Sequence, residues 1–130
     1  MQIIVFTLDD KLYAIGTDNV DEISRKIPST FVPNSPEWVE GIINLRGNVI
    51  TLVNLSRLLH LNDDLCYNNI IIIHNGEEKV GLLVKDVIEV IDIDENDIQN
   101  TKDESIDGII GIILSDKKII NVIDANILIF

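Results

Sequence analysis

Two charged side chains in this chain are spaced for specific recognition. Arg46 ends an apolar, strand-like run and directly precedes Gly47. This position displays the Arg46 guanidinium at a fixed place. Glu22 is the best carboxylate candidate to pair with it. An arginine held by a carboxylate is preorganised, so docking a partner costs less side-chain entropy. The pair predicts a recognition surface, and the alternative interpretation is that Arg46 is an ordinary polar turn residue.

Groups for catalysis or metal binding are sparse. Cys66 is the only cysteine and has no histidine near it in sequence, so we interpret it as a core or junction thiol. The isolated His60 and His74 do not have the spacing of metal ligands. The glycines are scattered rather than gathered in a phosphate-binding loop. We therefore expect no catalytic residue, no metal and no cofactor.

One acidic segment partly resembles a calcium-binding loop, through Asp92, Asp94 and Asn96. It departs from that pattern at position six, where Asp97 replaces the glycine of the sharp turn. It departs again at position twelve, where Asp103 replaces the bidentate glutamate. A solvated acidic loop is the favoured interpretation, and calcium binding stays an open alternative.

The composition limits both the fold and the partners. The chain has 130 residues with 26 isoleucines and 11 valines, and β-branched side chains favour sheets. A net charge of −12 argues against nucleic acid and anionic membranes as partners. The first ten residues have no basic region and only a short apolar run, which is unlike a signal peptide. With one cysteine, this predicts a cytoplasmic protein.

The chain also resembles itself, which indicates an internal duplication. At an offset of 67 residues three blocks coincide, and beyond the next turn the offset becomes 70. The matched blocks are 3–6 with 70–73, 20–23 with 87–90, 40–43 with 107–110, and then 49–50 with 119–120.

Each copy has the same predicted plan of short strands, tight turns and a terminal helix. Asn54 and Asp124 are placed to cap helices over 55–59 and 125–128, and a further helical turn is predicted after Asp18, with Val20 and Ile23 on one face. Five strands per half predict an all-β chain of two small barrels, because closure removes exposed edges. We expect one domain, residues 1–130, with subdomains of roughly 1–65 and 66–130. Turns are predicted at 9–10, 46–48, 75–76 and 115–117.

The segment around Arg46 carries a family resemblance. The run from Gly41 to Gly47, GIINLRG, is followed by Val49, Ile50 and a helix near Asn54, and it resembles the signature of the CheW chemotaxis adaptor family. The stretches FTLDDKLYAI, VDEI and PEWVEG are also similar to that family, so the resemblance covers essentially the whole chain. Two departures are Thr51, where the family usually has proline, and Asn54, where it usually has aspartate.

The resemblance implies two SH3-like five-stranded barrels packed face to face, with terminal strands that can be exchanged between them. It implies a non-enzymatic cytoplasmic adaptor that joins the tip of a methyl-accepting chemoreceptor to the regulatory domain of the chemotaxis histidine kinase. By position, Glu22 and Arg46 match a charged pair linked to receptor coupling, and Val20 and Ile70 match apolar positions by the groove between the barrels. We expect Ile23 to bind the partner together with these residues. The motif residues expected to shape the site are Gly41, Asn44 and Gly47.

Two alternatives stay open. The chain could be a CheW-like adaptor for another kinase pathway, which the sequence does not distinguish. It could instead be an enzyme or small-molecule sensor with a site between the barrels, which would require convergent polar groups there.

Overall fold

The computed structural model describes residues 1–63, 66–100 and 108–130. Two short 3-10 helices, Thr17–Asn19 and Glu95–Asp97, accompany ten strands and two α-helices in these ranges, which confirms the all-β prediction. The strands and helices are β1 (Gln2–Leu8), β2 (Lys11–Gly16), β3 (Val20–Arg25), β4 (Val39–Leu45), β5 (Asn48–Asn54), α1 (Leu55–Leu58), β6 (Asn69–Asn75), β7 (Glu78–Val84), β8 (Asp86–Asp92), β9 (Ile109–Ser115), β10 (Lys118–Ile123) and α2 (Ala125–Ile129).

The strands form two five-stranded sheets, with orders β8-β1-β2-β10-β9 and β3-β6-β7-β5-β4. We call them the first and second sheet. Neither is confined to residues 1–65 or 66–130. The hairpin β1–β2 pairs into the sheet that otherwise holds the second half, and β6–β7 pairs into the sheet that holds the first half. The two halves are therefore interlocked through their leading hairpins.

The core consists of three apolar clusters. One cluster combines residues of both sheets, including Phe6, Ile73 and Leu82. Each of the other two lies within a single sheet, around Val5 in the first and Ile72 in the second. Strands β1 and β6 contribute to both kinds of cluster and so are buried on both faces. This explains why their sequences are continuous apolar runs rather than alternating ones.

The hairpin turns follow from residues that tolerate a left-handed backbone. Both central residues have positive φ at Asp9–Asp10, at Arg46–Gly47 and at Asp116–Lys117, the geometry that two-residue hairpins favour. The remaining turn falls on Gly76 and Glu77, one residue later than predicted, and Gly76 supplies the positive φ of 63°.

Helix capping agrees with the sequence, but one predicted helical turn does not form. The Asn54 side chain accepts a hydrogen bond from Arg57 N, and the Asp124 side chain accepts from Asn126 N and Ile127 N. The helical turn predicted after Asp18 is wrong, since the short 3-10 helix ends at residue 19 and the chain continues as strand β3.

The duplication is visible in the backbone, with one correction to its alignment. Asn54 N donates to Trp38 O at 2.7 Å, and Asp124 N donates to Gly108 O at 2.7 Å. Because both members of these bonds are 70 positions apart, the offset changes before β4 rather than after the next turn. The structural counterpart of Gly41 is therefore Gly111, and the predicted match to Gly108 is wrong.

Steric crowding explains why both of these positions hold glycine. A Cβ on Gly41 would lie 2.4 Å from Thr30 O, and a Cβ on Gly111 would lie 2.5 Å from Gln99 O. In each copy the preceding loop forms a single antiparallel bridge to the edge strand, Thr30 with Ile42 and Gln99 with Ile112. Glycine allows the loop to approach the strand closely enough for that bridge.

Candidate functional site

The predicted pair between Arg46 and Glu22 is present. Arg46 Nη2 lies 3.2 Å from Glu22 Oε2, and the two side chains are 75% and 27% exposed. Arg46 is the first residue of the β4–β5 turn, with φ of 53°. The guanidinium is thus held by one carboxylate while most of its surface stays available to a partner.

The pair joins opposite edges of the second sheet. Glu22 is on β3, which is one edge strand, and Arg46 follows β4, which is the other. A salt bridge between the two edges requires the sheet to curl, so that strands far apart in its order come together in space. We call the line where the edge strands β3 and β4 meet the seam of the second sheet, and the Arg46–Glu22 pair lies on it. This curling fits the SH3-like barrel prediction.

The two motif residues next to Arg46 shape its turn. Asn44 Oδ1 accepts a hydrogen bond from Gly47 N at 3.2 Å, which ties the end of β4 to the turn. Gly47 has φ of 83°, a conformation that costs a residue with a side chain about 1–2 kcal/mol. Both residues therefore shape the turn that carries Arg46.

A β-bulge in β3 decides which way its side chains point. The ladder pairs Val20 with Ile73, then Glu22 with Ile72, so that Asp21 is an extra residue. Ile23 is then opposite Ile71, and because residues 71 and 73 share a face of β6, Val20 and Ile23 share that face too. The predicted common face of these two residues arises from the bulge and not from a helix.

The four β3 and β6 positions named from sequence differ greatly in exposure. Ile23 is 39% exposed and Val20 is partly buried against the cluster shared by the two sheets. Ile70 is 0% exposed and belongs to the core of the second sheet. The structure therefore removes Ile70 from the residues that could touch a partner directly, because no part of its surface is accessible.

Sequence reasoning missed a second charged contact beside this pair. Asp21 Oδ1 lies 2.5 Å from His74 Nδ1, and Asp21 Oδ2 lies 3.2 Å from Lys79 Nζ. Burial raises the pKa of Asp21, but the contacts with Lys79 and His74 lower it by more, so the net pKa is below its ordinary value. The β6–β7 turn could have shown that His74 and Lys79 are cross-strand neighbours. No signal in the sequence shows that Asp21 bulges towards them.

Cys66 and the acidic segment are the remaining sequence candidates for reactive or metal-binding groups. Cys66 is free and exposed in the connection between α1 and β6, so it is a junction residue and not a core residue. Asp94 Oδ1 accepts from Asn96 N at 2.9 Å and caps the second 3-10 helix, while Asp103 lies outside the described residues. Across the described ranges, the structure holds no group of three or more acidic, histidine or cysteine side chains that could bind a metal ion.

None of the helices in those same ranges is both long enough and apolar enough to cross a membrane.

Known proteins share this sequence and fold. The family model described as CheW-like domain matches residues 2–129. The chain is 33% identical to the chemotaxis protein CheW of Thermotoga maritima over 95% of its own length and 83% of that protein. It is 32% identical to the chemotaxis protein CheW of Bacillus subtilis, over 96% of its own length and 84% of that protein.

A solved structure gives the same result in three dimensions. The scaffolding protein TtCheW of Thermoanaerobacter tengcongensis superposes with a TM-score of 0.86 at 36% identity, covering 94% of this chain and 82% of that one. These matches extend over the seam that carries the Arg46–Glu22 pair and over both sheets. The chain therefore belongs to the CheW-like domain family, which confirms the resemblance in its sequence and the prediction of a non-enzymatic protein.

Proposed function

We propose that this protein is a cytoplasmic chemotaxis adaptor that couples chemoreceptor tips to the regulatory domain of the chemotaxis histidine kinase. The names of its relatives, chemotaxis protein and scaffolding protein, support this role. Signal transfer in such an adaptor proceeds through contact alone, so its function depends on exposed surfaces that are rigid before binding.

The observation that carries the proposal is that Arg46 is exposed and yet held in one place. Its side chain is 75% exposed, yet its backbone is fixed by a two-residue turn and its guanidinium by Glu22. Arginine is enriched among interface residues that contribute most to binding, and a preorganised one loses less entropy on docking. A residue serving only the turn would not need a carboxylate from the opposite edge of the sheet.

Apolar surface accompanies the charged pair on β3. Val20 and Ile23 lie on the face of this edge strand that is shared with Ile71, while Glu22 points to the face of Ile72. A receptor tip that covers the edge of β3 would meet both the apolar face and the charged seam. This combination of an apolar contact with an arginine is typical of the centre of a protein interface.

Charge reversal at Arg46 tests the proposal. We expect Arg46→Glu to weaken binding of a chemoreceptor-tip helical hairpin by about 1–3 kcal/mol, because it removes the docking group and places a second carboxylate beside Glu22. Isothermal titration measures the affinity, and circular dichroism confirms that the variant is folded.

The duplicated turn supplies a matched control. Lys117 occupies the β9–β10 turn at the position equivalent to Gly47, next to the equivalent of Arg46, and Lys117→Glu makes the same charge change on an equivalent backbone. It should leave receptor affinity within about 0.5 kcal/mol of the parent chain, as surface changes usually do. Unchanged affinity in Arg46→Glu would remove Arg46 from the docking site. Failure of the parent chain to capture a kinase regulatory domain in a pull-down would refute the coupling role.

A further inference from the structure

The bulged residue of β3 has its own set of contacts. Asp21 is extra in the ladder between β3 and β6, and its carboxylate reaches across two strands, to His74 on β6 and Lys79 on β7. His74 and Lys79 are direct cross-strand partners. Asn19 adds a further tie, since its Nδ2 donates to His74 O at 2.9 Å. The bulge is thus held by the side chain of Asp21 and, two residues earlier, by that of Asn19.

The register of β3 determines where Glu22 points. With the bulge, Glu22 is opposite Ile72 and on the face that the seam occupies. Without the extra residue, Glu22 would be opposite Ile71, because a one-residue slip moves every side chain to the other face of a strand. Glu22 would then point towards the cluster shared by the two sheets and away from Arg46.

The second copy contains the same bulge with different chemistry. The ladder between β1 and β8 shifts between Val5 and Phe6, which makes Ile88 the extra residue. Thr7 and Leu12 are the cross-strand pair equivalent to His74 and Lys79, at the offset of 67 residues, and Ile88 and Leu12 line one cavity of about 170 Å³. The bulge belongs to the duplicated backbone. The contacts of Asp21 with His74 and Lys79, in contrast, occur in the copy that carries the Arg46–Glu22 pair.

We propose that Asp21 is a positioning residue for docking: through His74 and Lys79 it holds the β3 bulge in the register that presents Glu22 to Arg46. Asp21 itself need not touch the partner. The effect on binding rests on the proposed receptor-coupling function, but the effect on β3 register is a property of the free chain and can be measured separately.

In the free chain, the test is a comparison of Asp21→Asn with Asp18→Asn by NMR. Asp18 is exposed in the adjacent 3-10 helix, and its substitution makes the same change in charge. We expect Asp21→Asn to shift the amide resonances of Glu22 and Ile72 and the Arg46 Hε resonance, and to weaken the contacts between residues 22 and 72. Asp18→Asn should leave them in place. Identical spectra for Asp21→Asn and the parent chain at these three residues would overturn the proposal.

Binding provides the second readout, through a double-mutant cycle with Arg46→Ala. Asp21→Asn should weaken binding of the receptor-tip hairpin at least about threefold in the parent chain and have no further effect in Arg46→Ala, because it acts through that residue. Equal losses in both backgrounds would mean that Asp21 acts independently of the pair, and the proposal would fail. If the parent chain does not bind the hairpin, the receptor-coupling function fails, and the NMR comparison alone decides the role of Asp21.

Discussion

The β4–β5 hairpin and the β9–β10 hairpin share one backbone but differ in chemistry. Both have a two-residue turn with positive φ at each central position, and both lead into a short helix capped by a side chain. Arg46 in the first turn corresponds to Asp116 in the second, and Glu22 corresponds to Glu89. The first seam therefore pairs opposite charges, whereas the second brings together two positions of the same sign.

Exposed apolar residues differ between the hairpins as well. Leu114 and Ile119 are cross-strand partners in the second hairpin and are 59% and 56% exposed. Their counterparts in the first hairpin are Asn44, which is polar, and Val49, which is apolar and 69% exposed, so the difference lies at the first of the two positions. The comparison teaches that the glycines at the crowded loop contact, Gly41 and Gly111, occur in both copies, while the exposed turn residue Arg46 is replaced by Asp116. One scaffold used twice thereby offers two different surfaces, and the pair of opposite charges, Arg46 with Glu22, belongs to one of them.

The largest expected effect tests the part that the hairpins share. Gly41→Ala and Gly111→Ala should each destabilise the protein by about 2–3 kcal/mol, because the added Cβ meets a backbone carbonyl oxygen of the bridging loop. Urea unfolding measures the cost. A cost below about 1 kcal/mol in only one copy would break the proposed equivalence of residues 41 and 111.

Gly47→Ala separates steric crowding from backbone strain in that experiment. Nothing lies within 4 Å of a Cβ at this position, but its φ is +83°. We expect a loss of about 1 kcal/mol from strain alone.

A smaller effect concerns the acid dependence of the Asp21 contact. Burial raises the pKa of Asp21, but the contacts with Lys79 and His74 lower it by more, so the pKa in the folded protein is below its ordinary value. The unfolded chain then takes up a proton at higher pH than the folded one, so this contribution to stability is present above that value and is lost as the pH falls through the lowered folded pKa. The stability difference between the parent chain and Asp21→Asn should shrink as the pH falls through the ordinary pKa of aspartate and then through the lowered folded pKa. A difference that does not vary with pH would show that the carboxylate charge is unimportant there.

The smallest expected effect would bring the second seam closer to the first. Asp116→Arg places a guanidinium at the counterpart of Arg46, facing the edge strand that carries Glu89. We expect a gain in stability of about 0.2–1 kcal/mol that disappears in 1 M salt, since both positions are exposed. Thermal unfolding at low and high salt measures it. No gain at low salt would show that the two seams differ in geometry and not only in charge.

The turns, the caps and the Arg46–Glu22 pair were predictable from sequence, because each depends on a few neighbouring residues or on one strong charge preference. The exposure of Ile70 was not. Its run of four isoleucines is equally compatible with a groove and with a core, and only the packing of β6 between two clusters settles its burial. The alignment of Gly41 with Gly108 failed for a related reason. Gly108 and Gly111 are each followed by two isoleucines, as Gly41 is, so the sequence does not distinguish which of them matches it.

By itself, the amino-acid order determined the strand-rich composition, the repeated plan, the positions of the tight turns and the presence of one well-placed arginine. Only the tertiary structure decided that the leading hairpins cross between the sheets, that β3 bulges at Asp21, and that Glu22 faces the seam. The physical reason is that turns and caps are fixed by local backbone preferences. Register, bulges and strand exchange are fixed by contacts between segments dozens of residues apart. The free energies of these contacts cannot be inferred from a short stretch of sequence.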